Sequence, residues 1–570
     1  MRLLEVEELQ VRYHGMGSPA CDLSFCVEAG ELVGIVGASG AGKSTALMAL
    51  TGFAPEGAEV TWKKLERNGT RAVVFQNASE SLNPLVTVGK QLTETLRAHG
   101  QLTKKEAACQ AEALLEEVGI RNPAKRMKQY PFELSGGMKQ RTAIAIALAC
   151  SPDLILADEP TTALDVTVRR QILELLKRVA EQKHAAVLLV SHDLGVIASM
   201  CSRVLVMKDG RIVEAGGIRE IFGAPKHPYT QKLIRLAQNG GQPKEAAGGR
   251  ETVLEARQLE KQFRERTFPG RPRYFEAVEP VSFQIGRGET FGLAGESGSG
   301  KTTLARLLTG MTEPSGGSFS CKGRVQMIFQ EPYASFDPGF SLERILEEPL
   351  VIRKTGTKET RRKRAAEILR LVGLENADTG KKAANLSGGQ QQRLALARAL
   401  LTEPEVLVCD EAFSAQDAVT QEQLAELLED IQAASGLSYL FISHDLEMLR
   451  RIAHRMGVMY LGSMVEQGRT AEIFKDPWHP YTKELLGAML PVSLKKTAGH
   501  GRTTLRDEPE PVRKKGNGCP FAPRCSYAME CCRKEKPGNY CFGDREVRCF
   551  LYSEAHTGKR ARDYRMASQI

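Results

Sequence analysis

No run of eighteen apolar residues occurs in the 570-residue chain, so no segment is long and oily enough for a membrane-spanning helix. A secretory leader is also missing, because Met1-Arg2-Leu3-Leu4-Glu5 turns acidic and polar too soon. The two absences predict a cytoplasmic protein whose contact with a membrane goes through a partner. Excess charge is lacking over most of the length. The net charge is +9, but residues 493–570 hold 17 Lys and Arg against 9 Asp and Glu, which leaves only +1 for residues 1–492. A polyanion-gripping surface is therefore not expected in 1–492, and the basic C-terminal stretch reads as a solvated tail. Disulfides are not expected either, since a cytoplasmic chain keeps its thiols reduced. Six of the thirteen cysteines nevertheless lie between 519 and 549, and such a cluster points to a metal.

What is present begins with Gly37-Ala38-Ser39-Gly40-Ala41-Gly42-Lys43-Ser44-Thr45, which fits the phosphate-binding pattern G-x-x-x-x-G-K-[ST]. Leu32 to Val36 before it reads as a buried strand and Ala46 to Leu50 after it as the start of a helix. The glycines let backbone N–H groups wrap a triphosphate, and the helix N-terminus adds positive potential. Lys43 would bridge the β- and γ-phosphates, and Ser44 would sit on Mg²⁺. The pattern returns at Gly295-Glu296-Ser297-Gly298-Ser299-Gly300-Lys301-Thr302-Thr303, after the strand Thr290 to Ala294.

The two loops disclose an internal repeat. Lys43 and Lys301 are 258 positions apart, and the pairs Ser135/Ser387, Asp158/Asp410, His192/His444 and His227/His479 are each 252 apart. The chain is read as two copies of one domain, 1–236 and 252–492. A Gly-rich flexible linker, 237–251, joins them, and a basic, Cys-rich extension, 493–570, has no counterpart in the first copy. Short apolar strands (Leu154 to Ala157, Ala186 to Val190, Val406 to Cys409, Tyr439 to Ile442) alternate with helical patterns such as Gln101 to Val118 and Lys358 to Val372. That alternation predicts an α/β fold with a largely parallel sheet, and the ligand beyond the strand C-termini.

Two acids close a strand in each copy, Asp158-Glu159 and Asp410-Glu411. The first of each pair can hold Mg²⁺ through the metal's water shell, and the second can orient a water toward the γ-phosphate. Leu134-Ser135-Gly136-Gly137-Met138 and Leu386-Ser387-Gly388-Gly389-Gln390 each precede a helical pattern. Ser is a good N-cap and the glycines expose backbone donors, which makes a second anion site in each copy.

With these motifs in place, the chain resembles the ATP-binding-cassette (ABC) ATPases up to about residue 490. The resemblance implies two P-loop domains in tandem, paired head to tail within the chain. Lys43, Ser44, Asp158 and Glu159 would face Ser387, Gly388 and Gly389 across one ATP. Lys301, Thr302, Asp410 and Glu411 would face Ser135, Gly136 and Gly137 across the other. It also implies that Gln76 and Gln330 sense Mg²⁺ and the attacking water. Asp165 and Asp417 would belong to the loop that crosses the interface, and His192 and His444 would contact the γ-phosphate. Tyr13 and Phe263 lie where the family stacks an aromatic ring on adenine; a place in the core is the alternative for both. The second copy departs from the pattern at Ala412 and Gln416, where the first has Pro160 and Leu164. No catalytic group is lost, so both sites are expected to turn over.

Three features resemble the oligopeptide/dipeptide/nickel importer ATPases: the Q…S-[LF]-[ND]-P segments from Gln76 and Gln330, Tyr130-Pro131-Phe132-Glu133, and His-Pro-Tyr-Thr closures at 227–230 and 479–482. This resemblance implies a peripheral protein on the cytoplasmic face of the membrane. It would dock on two integral-membrane permease subunits fed by an external solute-binding protein, for peptides, nickel or metal chelates. Such ATPases often carry a C-terminal cysteine motif. Here Cys519, Cys525, Cys532 and Cys549 could hold a [4Fe–4S] cluster or zinc, and intervals wider than the Cys-x2-Cys of zinc ribbons favour iron–sulfur. Free thiols are the third option. A rival class, twin-cassette ATPases acting on ribosomes or nucleic acid, usually has a long charged linker, which is absent. An exporter ATPase is disfavoured by the His-Pro-Tyr-Thr closures.

Overall fold

The computed structural model describes residues 1–14, 19–53, 57–162, 164–238, 244, 251–265, 273–331, 333–413, 417–490 and 517–553. Most of the predicted linker 237–251, residue Gln416, and 493–516 and 554–570 of the predicted extension lie outside the described residues. The chain forms two compact units, built chiefly from Met1–Asn239 and from Gly240–Gln416 with Thr420–Met489.

In the first unit five strands run parallel in the order Arg71–Val74, Leu154–Asp158, Ala186–Ser191, Leu32–Val36, Arg203–Lys208. Leu154–Asp158 and Ala186–Ser191 are buried at every position. That is why they read as unbroken apolar runs rather than alternating ones. The sheet is not parallel throughout. Arg211–Gly217 pairs antiparallel with Arg203–Lys208, and Arg2–Tyr13 pairs antiparallel with Cys21–Glu28, Ala58–Thr61 and Lys64–Arg67. Arg2–Tyr13 and Cys21–Glu28 mix buried with exposed residues, the mark of a sheet with one wet face, and the other antiparallel strands hold no fully buried residue.

Helix Lys43–Thr51 lies against one face of this sheet. Its Leu47 and Leu50 are fully buried against Leu4, Leu23, Val33 and Leu188. Each such leucine contributes about 2 kcal/mol by leaving water. The other face is covered by helices that include Lys104–Glu117, Gly136–Leu148 and Val166–Lys183. In Lys104–Glu117, Ala107, Ala111 and Leu115 recur every fourth residue on the buried side, and Thr103 with Glu106 forms a capping box at its start.

The second unit repeats the parallel core as Val325–Ile328, Val406–Asp410, Ser438–Ile442, Thr290–Ala294, Arg455–Tyr460, with Ser463–Arg469 antiparallel beyond. Thr252–Glu265, Arg273–Gly286 and Gly316–Cys321 make a separate antiparallel sheet. For the described part of the extension, 517–553, the reading of a solvated basic tail is corrected. The hairpin Tyr540–Phe542/Arg545–Val547 adds to the sheet edge along Ser463–Arg469, with Glu466 opposite Val547. Three of the tail's arginines neutralise carboxylates of the second unit instead of facing water. Arg545 reaches buried Glu466 at 2.5 Å and lies 3.9 Å over the Trp478 ring, Arg548 reaches Glu279 at 2.7 Å, and Arg524 reaches Glu296. Within 517–553, these arginines are therefore matched by carboxylates of the second unit.

Candidate functional site

Each phosphate loop joins the central strand to its helix. Gly42 and Gly300 cap those helices at φ 88° and 100°, in the left-handed region. A Cβ on Gly42 would stand 2.3 Å from Ala20 O and one on Gly300 2.5 Å from Ala277 O, so both conformation and space require glycine. Gly37 and Gly295 have the same lack of room, against Met207 O and Met459 O. Gly40 and Gly298 complete the turns at φ 78° and 76°.

The lysines are buried and turned back over their own loops. Lys43 Nζ donates to Gly37 O at 2.8 Å and Ala38 O at 2.9 Å; Lys301 Nζ donates to Gly295 O and Glu296 O at the same two distances. Burial lowers the Lys43 pKa, with the charges of Glu159 and Asp158 opposing it. Lys301 Nζ also lies 3.4 Å from Ser299 Oγ and 4.0 Å from Glu411 Oε1, so an incoming anion would meet a desolvated ammonium already aimed at the loop.

The hydroxyl beside each lysine meets the first acid of its strand end. Ser44 Oγ donates to Asp158 Oδ1 at 3.1 Å, and Thr302 Oγ1 to Asp410 Oδ1 at 3.2 Å. Burial raises both aspartates, and the adjacent glutamates raise them further. A divalent cation between hydroxyl and carboxylate would relieve that penalty, so the donor set fits Mg²⁺. Thr45 and Thr303 sit one place further along the helices, and the hydroxyl of half-buried Tyr13 lies 3.5 Å from Thr45 Oγ1. Phe263 is 42% exposed under Lys261. Neither ring belongs to the core.

The second acid of each pair gathers the predicted glutamine and histidine. Glu159 Oε2 accepts from Gln76 Nε2 at 3.4 Å and Thr162 Oγ1 at 2.8 Å, with His192 Nδ1 at 3.0 Å. Glu411 Oε2 accepts from Gln330 Nε2 at 3.0 Å, with His444 Nδ1 at 3.4 Å. Both glutamates stand at positive φ, 41° and 49°, which aims the side chain off the end of the strand. Non-glycine residues held there signal a site that the surrounding structure over-determines. Burial works to raise Glu159 and Glu411, but the hydrogen bond and charge of His192 and of His444 outweigh it and hold both carboxyls low. Each is thus an ionised acceptor ringed by donors, the state a water-orienting base requires. Every group of the predicted hydrolytic set is gathered within its own unit.

The Ser-Gly-Gly segments begin helices as expected. Ser135 Oγ accepts from Met138 N at 3.3 Å and Ser387 Oγ from Gln390 N at 3.4 Å, with Gly136, Gly137, Gly388 and Gly389 forming the first helical turns. Asp165 opens helix Val166–Lys183, and Asp417 Oδ1 accepts from Val419 N at 3.1 Å.

Sequence reasoning missed the part played by the His-Pro-Tyr-Thr closures. Tyr229 OH accepts from Ala38 N at 2.8 Å, and Tyr481 OH accepts from Glu296 N at 3.0 Å. The motif therefore braces the second residue of each phosphate loop. His227 and His479 set the geometry by accepting, through Nδ1, from the N–H groups of Tyr229 and Tyr481. Glu214 and Glu466 take the backbone N–H groups of the two histidines. The recurrence of the motif was visible in sequence, but its contact across 185 to 191 residues was not.

Cys519, Cys525, Cys532 and Cys549 line one cavity with His479 and Phe521. Burial pushes the Cys525 thiol up to about 11 and Cys549 up to about 12, and neighbouring thiols add to both shifts. Among the described residues, no group of three or more Cys, His, Asp or Glu side chains closes on a metal-sized point. Nor is any described helix long and apolar enough to cross a membrane.

The ABC transporter family matches residues 21–162 and 278–414, and the oligopeptide/dipeptide transporter C-terminal region matches residues 213–267 and 465–532. Among curated relatives, the glutathione import ATP-binding protein GsiA of Salmonella choleraesuis (strain SC-B67) is 36% identical, covering 91% of this chain and 94% of its own. Its namesake from Escherichia coli (strain K12) is 37% identical over 85% and 89%. Among solved structures, the archaeal ribosome recycling factor aABCE1, in complex with the ribosomal stalk protein aP1, matches with a TM-score of 0.55. That match is 22% identical and covers 81% of this chain and 88% of the other; at this identity it speaks for the fold alone.

Proposed function

The chain belongs to the ABC transporter family, in its oligopeptide/dipeptide branch, and is an ATPase that drives import; we propose that its cargo is a short peptide of glutathione's class. It works on the cytoplasmic face of the membrane through two permease subunits supplied by a solute-binding protein. The relatives' shared name and near full-length match support the cargo and the partners. Nickel or a metal chelate is the competing cargo.

The observation that carries the mechanism is the repeated gathering of lysine, hydroxyl, two acids, glutamine and histidine in each unit. In this reading Lys43 and Lys301 hold the β- and γ-phosphates. Ser44, Asp158, Thr302 and Asp410, with Gln76 and Gln330, hold Mg²⁺, which neutralises charge on the transferring phosphoryl group. Glu159 and Glu411 orient the attacking water, and His192 and His444 contact the γ-phosphate. Tyr13 and Phe263 stack on adenine; their lack of core burial supports that role over the alternative. Ser135 and Ser387, with the glycines after them, cap the nucleotide held by the other copy. Binding of two ATPs closes the pair of cassettes and hydrolysis reopens it.

Exposed apolar side chains support the permease reading. Leu85 is 84% exposed, and Phe132 stacks on Tyr130 in the open. In the second unit a groove of about 210 Å³ is lined by Met311, Phe329, Ile352 and Arg398. Such grooves suit an amphipathic permease helix.

The Cys519, Cys525, Cys532 and Cys549 thiols are assigned a [4Fe–4S] cluster ahead of zinc, supported by their shared cavity. Cys519, Cys525 and Cys549 are half-buried and Cys532 is buried around that cavity, and binding of a group that takes thiolates would draw their sulfurs together. The cluster's contribution is structural cross-linking of the extension.

Uptake of labelled glutathione by cells carrying the full system tests the function. Replacing Glu159 and Glu411 together by Gln is expected to abolish uptake while permeases still co-purify. Co-purification with ribosomes instead would overturn the importer reading. Anaerobic purification with metal analysis and absorbance near 400 nm tests the cluster; a colourless, metal-free protein ends that assignment.

A further inference from the structure

The two phosphate loops differ in one charged position. The first has Ala38 where the second has Glu296. Glu296 belongs to the loop proposed to receive a triphosphate, and its carbonyl accepts from Lys301 Nζ at 2.9 Å, so an added negative charge on this residue disfavours binding of an anion there. The structure shows what offsets it. Arg524, from the cysteine-rich extension, grips Glu296 with both arms of its guanidinium, Nη1 to Oε2 at 2.9 Å and Nη2 to Oε1 at 3.2 Å. Its Nη2 also bonds Glu484, on helix Pro480–Gly487, the helix that carries Tyr481. Arg524 is 8% exposed, and the side chains of Glu296 and Glu484 are 13% and 12% exposed. Phe521, three residues earlier, packs on Tyr481 with ring centroids 5.5 Å apart. The extension thus pairs with the charge of the second loop and packs on its brace. Two carboxylates share one arginine, so the cluster carries a net −1 with Arg524 and would carry −2 without it.

We propose that Arg524 is a positioning residue of the second nucleotide site: by neutralising Glu296 it makes that phosphate loop able to bind MgATP, so the cysteine-rich extension is part of the site. The first site, with Ala38, has no need of it. The inference rests on the reading of residues 295–303 as an ATP site. It requires the bidentate grip, since a guanidinium shared in this way is fixed in both position and charge.

The test is MgATP affinity of the full chain, measured with a fluorescent ATP analogue in a Lys43→Ala background that silences the first loop. Arg524→Ala is expected to weaken binding about tenfold, a difference of about 1.4 kcal/mol. Glu296→Ala, which removes the carboxylate charge, should bind about threefold tighter than the parent, and adding Arg524→Ala to it should cost little further. The Arg524→Ala defect should shrink between about 50 and about 500 mM KCl, as screening replaces the missing charge. Unaltered affinity in Arg524→Ala overturns the proposal. So does a double variant as weak as Arg524→Ala, since Arg524 would then only support the fold. Should Arg524→Ala fail to fold, Glu296→Gln decides alone: it is expected to bind about threefold tighter, and equal or weaker binding refutes the idea. Lys301→Ala in the same background must abolish the signal; if it does not, the fault lies with the ATP-site reading and not with Arg524.

Discussion

Replacing Glu159 and Glu411 by glutamine, one at a time, tests whether the two sites are equally competent. The geometry sets the expected size. Glu159 Oε2 takes hydrogen bonds from Gln76 and Thr162 and an ion-pair contact from His192, all within 3.4 Å. Glutamine keeps the volume and can keep one acceptor, but it loses the charge that His192 stabilises and the second lone-pair oxygen for a water. Loss of a positioned base costs about 10²–10⁴ in rate at that site. That corresponds to about 3–5 kcal/mol in activation free energy. The altered site therefore contributes nothing measurable. Glu411 keeps Gln330 and His444 at 3.0 and 3.4 Å, so the same loss is expected there. If the sites work independently, steady-state phosphate release by the full chain at saturating MgATP falls to about half in each single variant and to about 1% or less in the double. Coupled sites would take each single variant lower still. The reasoning is refuted if one variant keeps the full rate while the other loses it all. Ala412 and the residues after it would then have disabled the second site without removing any hydrolytic group.

Tyr229→Phe and Tyr481→Phe each strip a phosphate-loop N–H of its acceptor, a loss of about 1–3 kcal/mol. A rise of about five- to tenfold in KM for ATP with little change in kcat is expected, and unchanged KM would show that the brace is idle. Arg545→Ala leaves buried Glu466 without its partner, which costs about 3–5 kcal/mol. Urea unfolding should show the loss, and a midpoint equal to that of the parent would mean that the edge hairpin adds nothing. His479 is held neutral by burial, its pKa depressed from 6.5 to about 3. Its stabilising contribution is complete above pH 6.5 and is lost as pH falls toward 3, because the unfolded chain binds the proton first. His479→Asn keeps a helix-capping acceptor and cannot titrate, so its stability profile should be shallower by about 1.4 kcal/mol per pH unit in that window. Parallel profiles would refute the assignment.

The parallel core was readable because its strands are buried on both faces. Leu32–Val36 and Thr290–Ala294 have the limits that their apolar runs suggest, and Leu154–Asp158 extends one residue further to bring its aspartate to the edge. The hydrolytic groups were readable because phosphate chemistry demands fixed residue types at short spacing and the chain states them twice. Tyr229 and Tyr481 were recognised as a signature without a role. Their hydroxyls meet loops nearly two hundred residues away, and nothing local encodes that contact. The tail misled for a related reason. Counting charge cannot tell an arginine in water from one against a buried glutamate, and Arg524, Arg545 and Arg548 are of the second kind. The cysteine spacing pointed to a metal; all four chosen thiols line one cavity and Cys531 and Cys541 do not, but among the described residues the thiols do not close on a metal-sized point.

The duplication supplies its own control for what the extension does. In the first unit the closing tyrosine reaches its loop at 2.8 Å with no covering segment among the described residues, and His227 is only half-buried. In the second the bond is 3.0 Å, and His479 is buried under Phe521. A tyrosine that reaches its loop equally well with and without the cover does not need the cover to do so. The extension therefore does not shape the second loop. What it brings that the first unit lacks is a positive charge, placed opposite the one loop residue that is negative. Altering Arg524 should for that reason move nucleotide affinity at the second site and leave the loop's backbone, and the first site, as they were.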